Sequence, residues 1–384
     1  MANTLTSLTP DLFEAMDVVS REMVGMIPSV ARDSNAERAA KDQTVRSFVA
    51  PASSAADITP GQLPPDTGDQ TIGNKTITIS KARAVPIRWN GEEQRGMNFG
   101  PGYQNIRRDQ IAQAMRTLVN EIENDLCALY IKASRAVAPD ATTLFSASLK
   151  DLANVRRILA DNGAPMNDIS VVLNSLGGAE IRGLAQLNKA NEAGSDSMLR
   201  QGVLLDVFGM AIRESAQIDA HVAGTASSAT TDNAGYAVGA TTLTLASAGT
   251  GTILAGDVIT FAGDSNKYVV TTGDSDVSNG GTIVLAEPGL KVAMSAATKA
   301  ITVDGTSLDR NLVFARNAIQ LVTRVPARPV EGDRAEDVMI VQDPRSGLAF
   351  ELAMYKEYRQ VHYELSAAWG QAVIKPEHFA LLID

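Results

Sequence analysis

The chain has 384 residues, more than one simple core can organise and enough for roughly two or three domains. Its 34 Lys and Arg against 44 Asp and Glu give a net charge of −10. That balance argues against a dedicated, sequence-reading nucleic-acid binder, which usually shows a basic patch, but not against a protein that encloses nucleic acid without adhering to it.

The single cysteine, Cys127, permits no intramolecular disulfide and fits a reducing compartment. No run of about 18 apolar residues marks a membrane span. The first 30 residues carry Asp11, Glu14, Asp17 and Glu22 and lack the basic and apolar regions of a secretion signal.

Leu12, Met16, Val19, Met23 and Ile27 recur at steps of 4, 3, 4 and 4, which predicts an amphipathic helix ending at Pro28. Asp11 and Glu14 suit its positive end. Such a helix either packs on its own domain or serves as an arm on a neighbour. Residues 50–70 hold Pro51, Pro60, Pro64 and Pro65 among small and polar residues, an extended linker.

Residues 74–90 alternate. Thr76, Thr78 and Ser80 interleave with Ile77 and Ile79, then Val85, Ile87 and Trp89 with Pro86 and Arg88. This predicts two strands, the second confined by Pro86 to an edge or to an isolated ribbon. With a Pro-rich linker before it and Gly91, Gly96, Gly100 and Gly102 after it, the pair reads as a projecting hairpin that needs a partner chain. Its polar set is Lys75, Lys81, Arg83, Arg88 and Arg95 with Trp89. Those side chains serve either as a solvated ribbon face or as contacts to an acidic neighbouring subunit.

Residues 104–137 contain neither proline nor glycine. Ile111, Met115, Leu118, Ile122, Leu126 and Leu129 fall at steps of 4, 3, 4, 4 and 3, one face of a helix. At ~1.5 Å per residue the whole stretch would be about 50 Å long and must lie across a sheet. Arg107, Arg108, Arg116, Glu121, Glu123 and Lys132 are expected mostly off that stripe, and Cys127 as a small buried hydrophobe.

Residues 149–159 predict a second helix, stopped by Asn162 and Gly163. Residues 169–173 read as a strand, 174–187 as a helix capped by Asn174 or Ser175, 188–200 as a surface loop and 203–212 as strand again. From 222 to 308 the chain turns rich in Ala, Gly, Thr and Ser, with short β-runs at 242–245, 258–261, 267–271, 282–285 and 300–303 between turn signals. That is an inserted small barrel or sandwich. Residues 312–325 begin with an apolar turn and continue as a strand from 318. Strands follow at 339–341, 348–354, 359–364 and 379–383.

Catalytic signals are few. There are three histidines, His221, His362 and His378, and Asp219 sits two residues before His221. No HExxH, CxxC pair, GxSxG or phosphate loop occurs. Asp274, Asp276, Asn279 and Gly280 lack the closing Glu of a calcium loop and read as a solvated turn.

The order of arm, ribbon, long helix, α/β unit, β-rich insertion and closing strands resembles the major capsid (coat) protein of tailed bacteriophages, the Hong Kong 97-type fold. More narrowly, it is similar to the short-tailed-phage coat proteins with an inserted β-barrel domain. Residues 65–89 have the form of that family's E-loop, 254–261 of its barrel and 311–326 of the segment after it. Residues 363–382 match its closing strands, with Trp369, Gly370, Pro376 and Glu377 in place. The family's long charged loop in the insertion has no counterpart here; residues 273–281 are the best placed stretch and are acidic.

The resemblance implies an α+β fold: N-terminal arm and linker (1–60), E-loop hairpin (61–103) and P-domain (104–205) with spine helix 104–137. An A-domain (206–221 and 309–337), an inserted barrel (222–308) and closing strands (338–384) complete it. It further implies a non-enzymatic virion subunit without cofactor, metal or membrane. Such a subunit assembles with itself as hexamers and pentamers in the host cytoplasm, with a scaffolding protein and a portal. The icosahedral head encloses double-stranded DNA without sequence-specific binding. Two other readings stay open: an encapsulin-like nanocompartment shell, and a β-rich adhesin or decoration protein. For a glycan site in the latter the insertion supplies only Tyr236, Phe261 and Tyr268.

Overall fold

The computed structural model describes residues 24–49, 55, 57–58, 60, 69–97, 103–139, 143–145, 148–184, 187, 206–304, 308–342 and 347–384. The expected N-terminal helix as far as residue 23, most of the 50–70 linker and the 188–200 loop lie outside them, and residues 24–30, which include its expected end at Ile27, form bends and turns rather than helix. In chain order the first elements are β1 (Ala31–Ala39), β2 (Thr44–Val49), β3 (Gly73–Thr78), β4 (Lys81–Asn90) and a short helix α1 (Gly91–Met97). The spine helix is α2 (Tyr103–Cys127).

The spine is shorter than residues 104–137. After Cys127 the chain tightens into a 3-10 turn (Ala128–Lys132) and leaves as strand β5 (Arg135–Val137). The 25 helical residues span about 38 Å at ~1.5 Å each. Tertiary pairing overrides helix propensity at the end. Ser134 N–H donates to the Phe379 carbonyl, and β5 hydrogen-bonds between two other strands. Ile111, Met115, Leu118, Ile122 and Leu126 are buried in the main core, with Leu129 packed half-buried against it. Two charged residues expected outside that stripe, Arg107 and Glu123, are also buried.

After β5 come α3 (Lys150–Asp161), β6 (Ile169–Leu173), α4 (Ser175–Gly183) and β7 (Met210–Glu214). Asn174 caps α4, its side chain accepting from the Gly177 N–H at 2.6 Å. The insertion supplies β8 (Thr242–Leu245), β9 (Val258–Phe261), β10 (Lys267–Thr272), β11 (Gly281–Leu285) and β12 (Ile301–Val303). β13 (Arg310–Ala315), β14 (Ile319–Pro326), β15 (Ala335–Gln342), β16 (Ala349–Glu357), β17 (Gln360–Val373) and β18 (Phe379–Ile383) complete the chain. Where the sequence suggests an apolar turn at 312, β13 is a strand with all six residues buried. It lies between β18 and β6, where only full backbone pairing satisfies its polar groups.

One sheet runs β1-β14-β17-β16-β15, with β4 on the far edge of β17. The other runs β12-β9-β10-β5-β18-β13-β6-β7, with β11 and β8 branching from β10. The hairpin expected within 61–103 is not formed. β3 pairs with β2 as a separate ribbon, while β4 pairs along β17 from Asn90↔Gln360 to Lys81↔Trp369. Burial explains the split: Ile77 packs with Val322 and Ile374, and Ile87 and Trp89 join the core beneath α2. Pro86 lies on the edge strand β4, where a missing N–H is tolerated. Gly370 is required where β17 passes the ribbon, because a Cβ there would stand 2.1 Å from the Thr78 carbonyl oxygen.

The insertion has its own core around Leu243, Ile259, Phe261, Tyr268 and Ile283. Its ladder β8-β11-β10-β9-β12 returns on itself through bridges Thr231↔Leu245 and Thr230↔Ala300. The two strands of its neck meet at Ala220↔Asp309 and at the His221 N–H to Leu308 carbonyl bond.

Candidate inter-subunit surface and its buried joints

Alternation along β4 sets Ile87 and Trp89 inward and Arg83 and Arg88 outward. Lys81 opens the strand beside the spine. Its Nζ lies 2.8 Å from Asp125 Oδ1 and 3.0 Å from Glu121 Oε1. Arg83 Nε reaches the same Glu121 oxygen at 3.2 Å. Trp89 Nε1–H donates to Gln110 Oε1 at 2.8 Å, and Lys75 Nζ lies 3.6 Å from Glu287 Oε2 in the insertion. Four of the six candidate contact residues therefore engage their own chain. Arg88 and Arg95 are exposed, and so is Arg83 despite its ion pair.

Trp369 is fully buried, and its Nε1–H donates to Asp125 Oδ2 at 2.8 Å. Lys81 Nζ stands 6.0 Å from the centroid of the same ring. Pro376 is buried; Glu377 lies 3.6 Å from Lys375 Nζ, and its carbonyl accepts from Asn162 Nδ2 at 2.8 Å. These contacts fix the closing strands to the spine and to α3.

The first sheet has a second joint at Glu351. Its buried carboxylate meets Arg38 of β1 at 2.6 Å and Arg328 at 2.7 Å. Arg328 also bonds Asp333 at 2.8 Å. The Ala335 N–H and the Arg328 charge hold the Asp333 carboxyl below the usual range.

The third joint is at the neck of the insertion. His221 Nε2 lies 2.8 Å from Asp257 Oδ1, and its Nδ1 2.8 Å from the Tyr130 hydroxyl. Asp257 also accepts from the N–H groups of Gly224 and Leu254. The carboxylate that serves His221 is thus Asp257, not neighbouring Asp219. Burial pushes the His378 imidazole down, and His362 stacks edge-on with Tyr355 at 5.9 Å. Burial also pushes the Cys127 thiol up, as befits an inert core sulfur. Among the described residues no group of three or more His, Cys, Asp or Glu is placed to hold a metal. In the 273–281 turn, Asp276 accepts from Ser278 N–H and Oγ–H, and Asp274 from the Asp276 N–H.

Asp125, Gln110, Glu351 and Asp257 carry these joints, and local sequence pattern marks none of them. Their partners lie from 21 to 244 residues away along the chain for Gln110 and Asp125.

No family model matches the sequence, and no curated protein matches it. Solved structures do. The fold is the capsid-protein fold: the chain superposes on the capsid structure of the cyanophage P-SCSP1u with a TM-score of 0.50 at 12% identity, over 92% of this chain and 86% of that one. The mature capsid of bacteriophage PhiM1 gives 0.46 at 11% identity, over 93% and 85%. A virus-like particle from Pyrococcus furiosus gives 0.42 at 12% identity, over 98% and 97%. Of these three, the cyanophage superposition reaches the level at which a shared fold is defined. Among the described residues no helix is long and apolar enough to cross a membrane.

Proposed function

We propose that the chain is a major capsid protein, a structural subunit that assembles with itself into an icosahedral phage head around double-stranded DNA. The observation that carries this reading is the capsid-protein fold over 92% of the chain. Three further features support it. The β2–β3 ribbon stands outside both sheets and leaves Phe48 76% and Ile72 66% exposed, apolar surface that a neighbouring subunit would cover. The joints found are braces between elements, suited to a load-bearing wall. The net charge of −10 limits adhesion to enclosed DNA.

In this reading the E-loop is the β2–β3 ribbon with the residues between its strands, so it starts at residue 44 rather than 61. The P-domain is built on α2, α3 contributes to the layer beside it, and residues 206–221 and 309–337 belong to the A-domain. The returning β8–β12 ladder is the inserted barrel. The subunits form hexamers and pentamers, joined by a scaffolding protein and a portal during assembly.

Expression with and without a cognate scaffolding protein, followed by size-exclusion chromatography and electron microscopy, tests this. Closed shells are expected. A compact monomer at every concentration, with and without scaffold, would overturn it.

A further inference from the structure

Phe208 stands at a backbone position that disfavours it. It is the first central residue of the two-residue turn that opens β7, where Val207 and Met210 exchange backbone hydrogen bonds in both directions. Both central residues lie at positive φ, 53° for Phe208 and 73° for Gly209. Such a turn favours Asn or Gly at its first position, because a Cβ is strained there. The ring is not buried in compensation: Phe208 is 49% exposed. An outlier of this kind marks a place to look for function.

Across a cleft of about 450 Å³ Phe208 meets helix α3, which contributes Ala153, Arg156, Arg157 and Ala160. The helical repeat sets these four residues on one outward stripe. The two alanines make a low floor, and the two arginines supply the charge. Of the Arg156 guanidinium only Nε is buried, without a hydrogen-bond partner, and Arg157 is exposed. Among the described residues neither arginine is paired with an acid. Asp161, further along α3, lies 3.9 Å from Arg135 instead. Asp206, exposed just before the turn, is the acid closest to Phe208 along the chain. In a chain of net charge −10, this cleft is a local exception.

We propose that the cleft is a sequence-tolerant contact for a single nucleic-acid strand. Phosphate oxygens meet the guanidinium forks of Arg156 and Arg157, and a base stacks on the Phe208 ring. An acidic peptide would satisfy the forks but would leave the ring without a planar partner. The acidity of the rest of the chain confines adhesion to this one place. That the strand belongs to enclosed nucleic acid rests on the shell reading above; the binding itself does not, and it is measured on the unassembled chain.

The test is fluorescence anisotropy of labelled oligothymidylate with the full chain, below the concentrations that give shells, together with thermal unfolding. Saturable binding is expected. Two neutralised phosphates should give a slope of log K against log salt of about −1.4, which Arg156→Gln and Arg157→Gln together should abolish. Phe208→Asn should weaken binding about tenfold without lowering Tm, since Asn suits the turn better than Phe. The same variant should leave the binding of an abasic oligonucleotide and of duplex DNA unchanged, because neither offers an unpaired base. Asp206→Asn should tighten binding through the loss of a like charge. Oligothymidylate binding that ignores these variants would overturn the proposal. So would a fall in Tm that accompanies the loss of binding in Phe208→Asn, which would make the ring structural. Polyglutamate bound as tightly, with the same sensitivity to the variants, would make the cleft a peptide site instead.

Discussion

Trp369 and Asp125 are joined by a 2.8 Å hydrogen bond across 244 residues of sequence, from a fully buried indole to a carboxylate on the spine helix. The same carboxylate holds Lys81 through its other oxygen. One acidic side chain therefore ties α2 to β17 and to the start of β4. Asp125→Ala should leave the indole N–H buried and unpaired and destabilise the subunit by about 1–3 kcal/mol. Urea unfolding followed by tryptophan fluorescence measures this; an unchanged midpoint would show that water replaces the carboxylate.

Leu118 is the centre of the spine's apolar face, in contact with the main core. Leu118→Ala should cost about 2–5 kcal/mol through the lost side chain and the cavity left behind. Leu118→Asp buries an unpaired charge and should give no soluble folded subunit. Circular dichroism and soluble yield of the two variants check the ranking.

Glu351 is the shared anion of two arginines. Glu351→Ala leaves both facing a buried site without their acceptor, a loss on the order of 3–5 kcal/mol. Arg38→Met should cost under about 1 kcal/mol, because Arg38 is partly exposed and Arg328 still pairs with the carboxylate. Hydrogen exchange should show β1 opening more readily in both, and far more in Glu351→Ala.

Glu123 sets a pH dependence. Burial lifts its carboxyl above the usual range, against the N–H bonds it receives from Met26 at 2.7 Å and Ile27 at 3.0 Å. The folded state then holds this proton at pH values where the unfolded chain has released it. Stability from this group is full below the ordinary value of 4.5 and is lost as pH rises through the folded-state value. Comparing unfolding free energies of the native chain and Glu123→Gln from pH 4.5 upward isolates the slope. The native chain should lose ground to the variant as pH rises.

Arg88 and Arg95 are exposed, whereas the half-buried Lys81 and the exposed Arg83 pair with the spine. Under the shell reading, Arg88→Glu and Arg95→Glu should leave the unfolding midpoint unchanged and reduce shell yield in electron micrographs. Lys81→Glu should instead lower the midpoint.

Much of the architecture was legible because it is written in local periodicity. Steps of 3 and 4 placed Ile111 to Leu126 on one buried face, and alternation placed all five strands of the insertion within a residue or two. Pairing was not legible. Residues 74–90 carry two good strands, but nothing local says that β3 turns back to residues 44–49 while β4 lies along β17. The contact set suffered for the same reason: a lysine or arginine on a strand looks the same in sequence whether it faces a neighbour or its own helix.

By itself, then, the sequence determined where many of the elements are helical or extended, which faces are apolar, and that a β-rich unit interrupts an α/β one. These follow from side-chain periodicity and turn chemistry, which act over a few residues. Only the tertiary structure decided where the spine ends, because strands β10 and β18 claim the backbone of residues 135–137. It alone decided that Asp125 serves Trp369, Glu351 serves two arginines, and Arg310 is buried without an acceptor. Those outcomes depend on burial, which strips water from a polar group and makes its partner, however distant in the chain, energetically obligatory.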